Sequence, residues 1–123
     1  MDSRPPILIL REPVSGPTVE KYARAWFGDM VKVVIDVGRE LLSLGGELHA
    51  DGEAILLEDG SVQKDLWGAN VYPFRRGQDR LEFTALINIR PSQGNPSMEV
   101  KDPDIRREME RVVSHLLPGG EAP

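Results

Sequence analysis

Residues 30–37, Met-Val-Lys-Val-Val-Ile-Asp-Val, constrain this chain more than any other stretch. Val31, Val33, Ile35 and Val37 fall at every second position, with Lys32, Val34 and Asp36 between them. Branched side chains at period two fit a pleated strand with one buried face. Gly38-Arg39 follows as a turn, and residues 40–48 supply a second run, so the two segments are predicted to form an antiparallel hairpin. A helix over 38–44 is the weaker alternative, because Gly38 and the Gly45-Gly46 pair are poor helix formers.

The remaining elements follow from similar spacings. Ile7 to Leu10 is a short apolar run that reads as a buried strand. Ser15 or Gly16 stands before a helix with Pro17 in its first turn, and Val19, Tyr22, Ala23, Trp26 and Phe27 make its apolar stripe. Ala69 to Tyr72 is predicted as a strand that ends at Pro73. Residues 81–90 give the cleanest alternation: Leu81, Phe83, Ala85, Ile87 and Ile89 are expected to face inward, with Glu82, Thr84, Asn88 and Arg90 outward. Asp102 caps a last helix with Pro103 at its first position and a stripe of Ile105, Met109, Val112, Val113, Leu116 and Leu117.

The order is therefore β-α-β-β-(α or β)-β-β-α. It defines an α+β fold, a single domain with a mainly antiparallel sheet and two amphipathic helices packed on one face. The chain of 123 residues fits one domain, its core about 7–117 and a flexible tail at 118–123. It has no cysteine, which excludes disulfides, zinc–thiolate sites and thiol nucleophiles. Its formal net charge of −5 disfavours broad attraction to nucleic acid or anionic membranes. Neither a membrane span nor a signal peptide is visible, so a cytoplasmic protein is expected.

The richest chemistry lies in residues 45–68, which hold His49, Trp67 and six carboxylates. Residues 49–60 read in two ways. Asp51 caps a short helix over 52–58, the preferred reading, or 53–58 is a strand with Asp59-Gly60 as its hairpin turn. Glu47, His49, Asp51 and Glu53 alternate. In an extended chain all four share a face, where Glu47, His49 and Asp51 form a candidate site for Mg²⁺ or Mn²⁺. Carboxylates on either side of His49 favour its charged form, so a metal would displace a proton. Asp36, Asn88 and Arg90 lie on strand faces near loops, and Arg90 suits a carboxylate or phosphate ligand. With Trp67, a core anchor or stacking surface, they make the candidate ligand-binding set. The bland alternatives are a solvated acidic face, a helix cap and an Arg90 salt bridge. The chain contains no phosphate-binding loop, dinucleotide fingerprint, nucleophile elbow or paired-histidine zinc motif.

Four motifs carry a resemblance: Gly46-Glu47-Leu48-His49-Ala50-Asp51, Leu56-Leu57-Glu58-Asp59-Gly60-Ser61, Asp65-Leu66-Trp67-Gly68 and Leu86-Ile87-Asn88-Ile89-Arg90-Pro91. From about Ile7 to Leu117 the chain resembles a family of short bacterial and archaeal proteins of unknown function. The resemblance implies no activity, ligand or catalytic residue. On the residues alone, the preferred function is a small soluble binding or interaction domain that self-associates, as a homodimer, with its small-molecule ligand unknown. Its dimerisation rests on Val34, Leu41 and Leu86, which lie on strand faces that two helices would leave bare. The alternative is a metal-dependent hydrolase or nuclease. There the carboxylates hold the ion, His49 moves a proton and Arg90 steadies an anionic substrate, with His49 and Arg90 as candidate catalytic residues.

Overall fold

The structure is a computed structural model that describes residues 3–119. The outer part of the expected flexible tail, from residue 120 onward, lies outside the described residues. Five strands form one antiparallel sheet: β1 (Leu8–Leu10), β2 (Val31–Asp36), β3 (Leu41–Leu44), β4 (Leu66–Val71) and β5 (Leu81–Glu82). Their order across the sheet is β1-β3-β2-β4-β5. Three α-helices complete the described chain: α1 (Gly16–Trp26), α2 (His49–Glu58) and α3 (Pro103–Leu116).

The predicted hairpin is present, with Val34 opposite Ser43 and Asp36 opposite Leu41. Its turn is tied by Asp36, whose Oδ1 accepts from the backbone N–H of Gly38 at 3.0 Å and of Arg39 at 2.9 Å. Beyond β3 the chain bends through Gly45 and Gly46, at φ +102° and +98°. A Cβ at these positions would also come within 2.9 Å of the Tyr22 ring and 2.8 Å of Ile7. Glycine is required there by both conformation and space.

Period two in β2 sorts its side chains between two layers. Val31, Val33 and Ile35 join Leu42, Leu44, Ala69 and Val71 beneath α1 and α3, forming the larger core. Both helices start as the sequence indicates. The side chain of Ser15 accepts from the Thr18 N–H, and that of Asp102 accepts from Asp104.

Val34 points the other way and packs with Leu41, Leu56 and Leu66 in a second, smaller cluster. α2 covers it. Gly52 is what lets α2 sit so low: a Cβ there would lie 2.4 Å from Ser43 Oγ and 3.1 Å from Val34. The two predicted helices do pack on one face, and a third helix occupies the other. Val34 and Leu41 are 1% and 4% exposed, so they offer no bare face for association. Leu86, at 70%, does remain exposed.

The strand expected over 81–90 is limited to Leu81–Glu82. Beyond it lie an isolated bridge from Thr84 to Glu99 and a 3₁₀ turn over Leu86–Asn88. The inside–outside pattern fails at the end of the run: Asn88 is fully buried and Arg90 is 8% exposed, whereas Ile89 faces solvent; Leu86 is exposed, as its outward position requires. The cause is a side chain that replaces strand pairing. Asn88 accepts from the Gly68 N–H at 2.8 Å and donates to the Gly68 and Met98 carbonyls, each at 3.0 Å. β4, in turn, begins three residues earlier than expected, at Leu66.

Candidate functional site

α2 covers only part of its side of the sheet. Lys32 and Asn70, paired across β2 and β4, lie beyond its first turn. A cavity of about 420 Å³ opens there. Its walls are largely apolar (Met30, Leu48, Ala85, Leu86, Ile87 and Met98), with Lys32, His49, Asn70 and Thr84 as the polar residues among them. Volume and lining are those of a small-molecule pocket.

His49 is the first residue of α2, and its Nε2 lies 2.9 Å from the Ala69 carbonyl oxygen. A carbonyl only accepts, so Nε2 carries the hydrogen and Nδ1 keeps the lone pair of the neutral ring. The ring packs close over Gly68. A Cβ at Gly68 would stand 3.2 Å from His49 Cδ2 and 2.5 Å from the Ala85 Cβ, so glycine permits this contact. The Nε2–Cδ2 edge therefore faces β4, and the Nδ1–Cε1 edge is turned away from the strand. Burial lowers the His49 pKa below 6.5, and the nearby Lys32 charge acts in the same sense. The Ala69 carbonyl and the Asn70 side chain oppose this but do not outweigh it. The expectation that carboxylates hold His49 charged is thus overturned: the ring sits against β4 rather than between acids.

Asn70 stands beside it. Its Nδ2 donates to Glu82 Oε1 at 2.7 Å and to the Thr84 carbonyl at 3.4 Å. Both partners are acceptors, which fixes the amide orientation. Its Oδ1 is buried and has no hydrogen-bond partner. Lys32 Nζ donates to the Glu47 carbonyl at 2.8 Å and lies 5.0 Å from the centre of the Phe27 ring.

The remaining candidates lie elsewhere. Helix α2 begins at His49, so successive side chains rotate by about 100° and Glu47, His49, Asp51 and Glu53 do not share a face. Glu47 and Asp51 are exposed. The cap is Leu48, which makes no side-chain bond, rather than Asp51, which sits in the first turn. Among the described residues, no three His, Asp or Glu side chains gather to hold a metal ion. Asp36 is fully buried, and its Oδ2 accepts from Ser61 Oγ at 2.6 Å. Arg90 donates to the Ile87 carbonyl at 3.0 Å and the Gln63 carbonyl at 2.8 Å, and pairs with Glu53 at 3.3 Å. Its guanidinium lies 4.7 Å from the centre of the Trp67 ring. Burial lowers the Arg90 pKa, while Glu53 acts against this. Asp36, Trp67, Asn88 and Arg90 are thus engaged with one another's surroundings in the interior, apart from the pocket. Sequence reasoning found His49 but missed Lys32 and Asn70. Their signal was available: they are the polar members of strand faces that continue as Val34 and Gly68, and they mark where the apolar cover ends.

The placement of His49 gives a pH dependence. Its folded pKa lies below the unfolded value, so between the two the unfolded chain binds more protons. Stability should therefore fall as pH drops below about 6.5, and the loss is complete once both states are protonated. His49→Gln retains an amide donor for Ala69 without titrating. Melting curves between about pH 7.5 and 5 should fall more steeply for the wild type than for H49Q. Parallel curves would refute this assignment.

Fold and cavity together define a small α+β domain with a ligand-sized pocket at the start of its second helix. The chain belongs to the family described as "Protein of unknown function (DUF5674)", whose model matches residues 8–116. No curated protein and no solved structure matches it.

Proposed function

We propose that this protein is a small binding domain whose ligand seat is the pocket beside His49. The observation that carries this reading is an apolar-walled cavity of about 420 Å³ holding an imidazole whose orientation is fixed by the Ala69 carbonyl. Pockets of this kind bind through apolar area and orient their ligand through a few placed polar groups. The metal-dependent hydrolase alternative would use Glu47, His49 and Asp51, which are dispersed around the start of α2. Self-association accompanies the preferred reading in a revised form. Leu48, Leu86 and Met98, at 55%, 70% and 41% exposure, rim the same pocket and give an apolar surface for a second copy. A bacterial or archaeal source and a cytoplasmic location accompany it as well.

The test is an NMR titration of labelled protein with two uncharged probes, methyl benzoate and benzamide. Saturable shifts at Leu48–Ala50 and Thr84–Ile87 are expected with at least one of them, weakened in Leu86→Ala. Shifts scattered over α1 and α3, or none with either probe, would remove the pocket from consideration. Light scattering of the same sample at high micromolar concentration reads the association separately, and a monomer mass would count against the homodimer.

A further inference from the structure

We infer that the pocket selects an uncharged ligand that donates an N–H or O–H hydrogen bond to Nδ1 of His49. This deepens the binding reading above and rests on it. Three observations converge. First, the bond from Nε2 to the Ala69 carbonyl at 2.9 Å forces the neutral ring to present its lone pair at Nδ1. Contact of Cδ2 with Gly68 turns the edge bearing that lone pair away from β4. Second, the neighbouring amide of Asn70 has no donor to spare for an anion: Glu82 and Thr84 take its N–H₂, and its Oδ1 is buried. A donor brought against Nδ1 meets an acceptor, whereas a carboxylate or phosphate meets a repulsive dipole. Third, the one cation among the described residues of the pocket, Lys32, is held by its own neighbours. Lys32 Nζ is bound to the Glu47 carbonyl at 2.8 Å and lies over the Phe27 ring.

The apolar walls supply affinity for any molecule of suitable shape and do not discriminate donor from acceptor. Discrimination comes from the lone pair. A ligand of equal size without a donor would bury His49 Nδ1 unsatisfied, and a buried unmade hydrogen bond costs about 1–3 kcal/mol, or roughly 5- to 150-fold in affinity. Amides, lactams and hydroxylated ring compounds meet the requirement. Esters, ethers and carboxylates of the same shape do not.

The experiment compares benzamide, methyl benzoate and sodium benzoate in titrations of the wild-type protein at about pH 7.5, where His49 is neutral. The signals followed are the His49 ring protons and the Leu48–Ala50 amides. Benzamide is expected to bind at least about tenfold more tightly than either of the others. In His49→Phe, which fills the space without a lone pair, benzamide and methyl benzoate should bind alike. Equal affinities of those two for the wild type would overturn the inference and leave the pocket standing. Tightest binding by benzoate would overturn it in favour of an anion site at the first turn of α2. No binding by any probe would remove both the inference and the reading beneath it. The three-probe comparison needs only the wild-type chain, so it decides the matter even where H49F fails to fold.

Discussion

Deleting the chain from Asp102 onward is expected to abolish folding. α3 and its last turn place Met109, Val112, Val113, Leu116 and Leu117 in the larger core, each at most 2% exposed. Burial of such side chains contributes about 1.5–3 kcal/mol each, so together they are comparable with the ~5–15 kcal/mol that holds a whole domain. The helix also accepts the Val14 N–H at the Leu116 carbonyl, 3.1 Å away, and so ties β1's exit to the core. The truncated chain should show no cooperative melting transition and should aggregate or bind a hydrophobic dye. A truncated protein with the native melting temperature would contradict the layering described above.

The second large effect is expected at Asn88. Asn88→Ala takes the side-chain partner from both the Gly68 N–H and the Gly68 carbonyl, while the Met98 carbonyl loses one bond and keeps the Ala85 N–H at 3.1 Å. Each buried orphan costs about 1–3 kcal/mol, so a loss of several kcal/mol follows. Asn88→Asp should fare little better, because it keeps the acceptor for the Gly68 N–H, loses both donors and buries a charge. Urea denaturation measures both. A loss below about 1 kcal/mol in N88A would mean that the loop holds its path without this side chain.

These two sites differ in how far they could be read from sequence. The stripe of α3, its Asp102 cap and Pro103 are local signals, and they led to the helix directly. Val31 to Val37 likewise determined β2, because alternation and branching agree there. Asn88 carried no such signal. In residues 81–90 an apolar alternation suggested a strand, yet a single amide takes over the pairing that a strand would have made with Gly68. Nothing in the spacing distinguishes a polar residue that faces water from one that substitutes for backbone. The same ambiguity affected Arg90, expected on an outward face and found among Ile87, Gln63, Glu53 and Trp67. Of the pocket, His49 was legible as a rare side chain in a motif. Its neutral state was not, because that follows from burial of the ring against β4, which the spacing around His49 does not reveal. Lys32 and Asn70 come together only through the pairing of β2 with β4.

The uneven layering also bears on how the molecule moves. The larger core locks α1 and α3 to the sheet through eighteen buried side chains, whereas the cluster beneath α2 has four. Free energies of local opening follow the apolar area that must be exposed. Opening α2 therefore exposes less apolar surface than opening the opposite layer, so its amides are expected to exchange sooner than those of α1 and α3. His49 belongs to that helix and the Ala69 carbonyl to the sheet, so their hydrogen bond, like the Glu53–Arg90 pair, ties α2 to the rest of the fold. The chemistry of the pocket and the anchoring of its helical wall thus meet at His49.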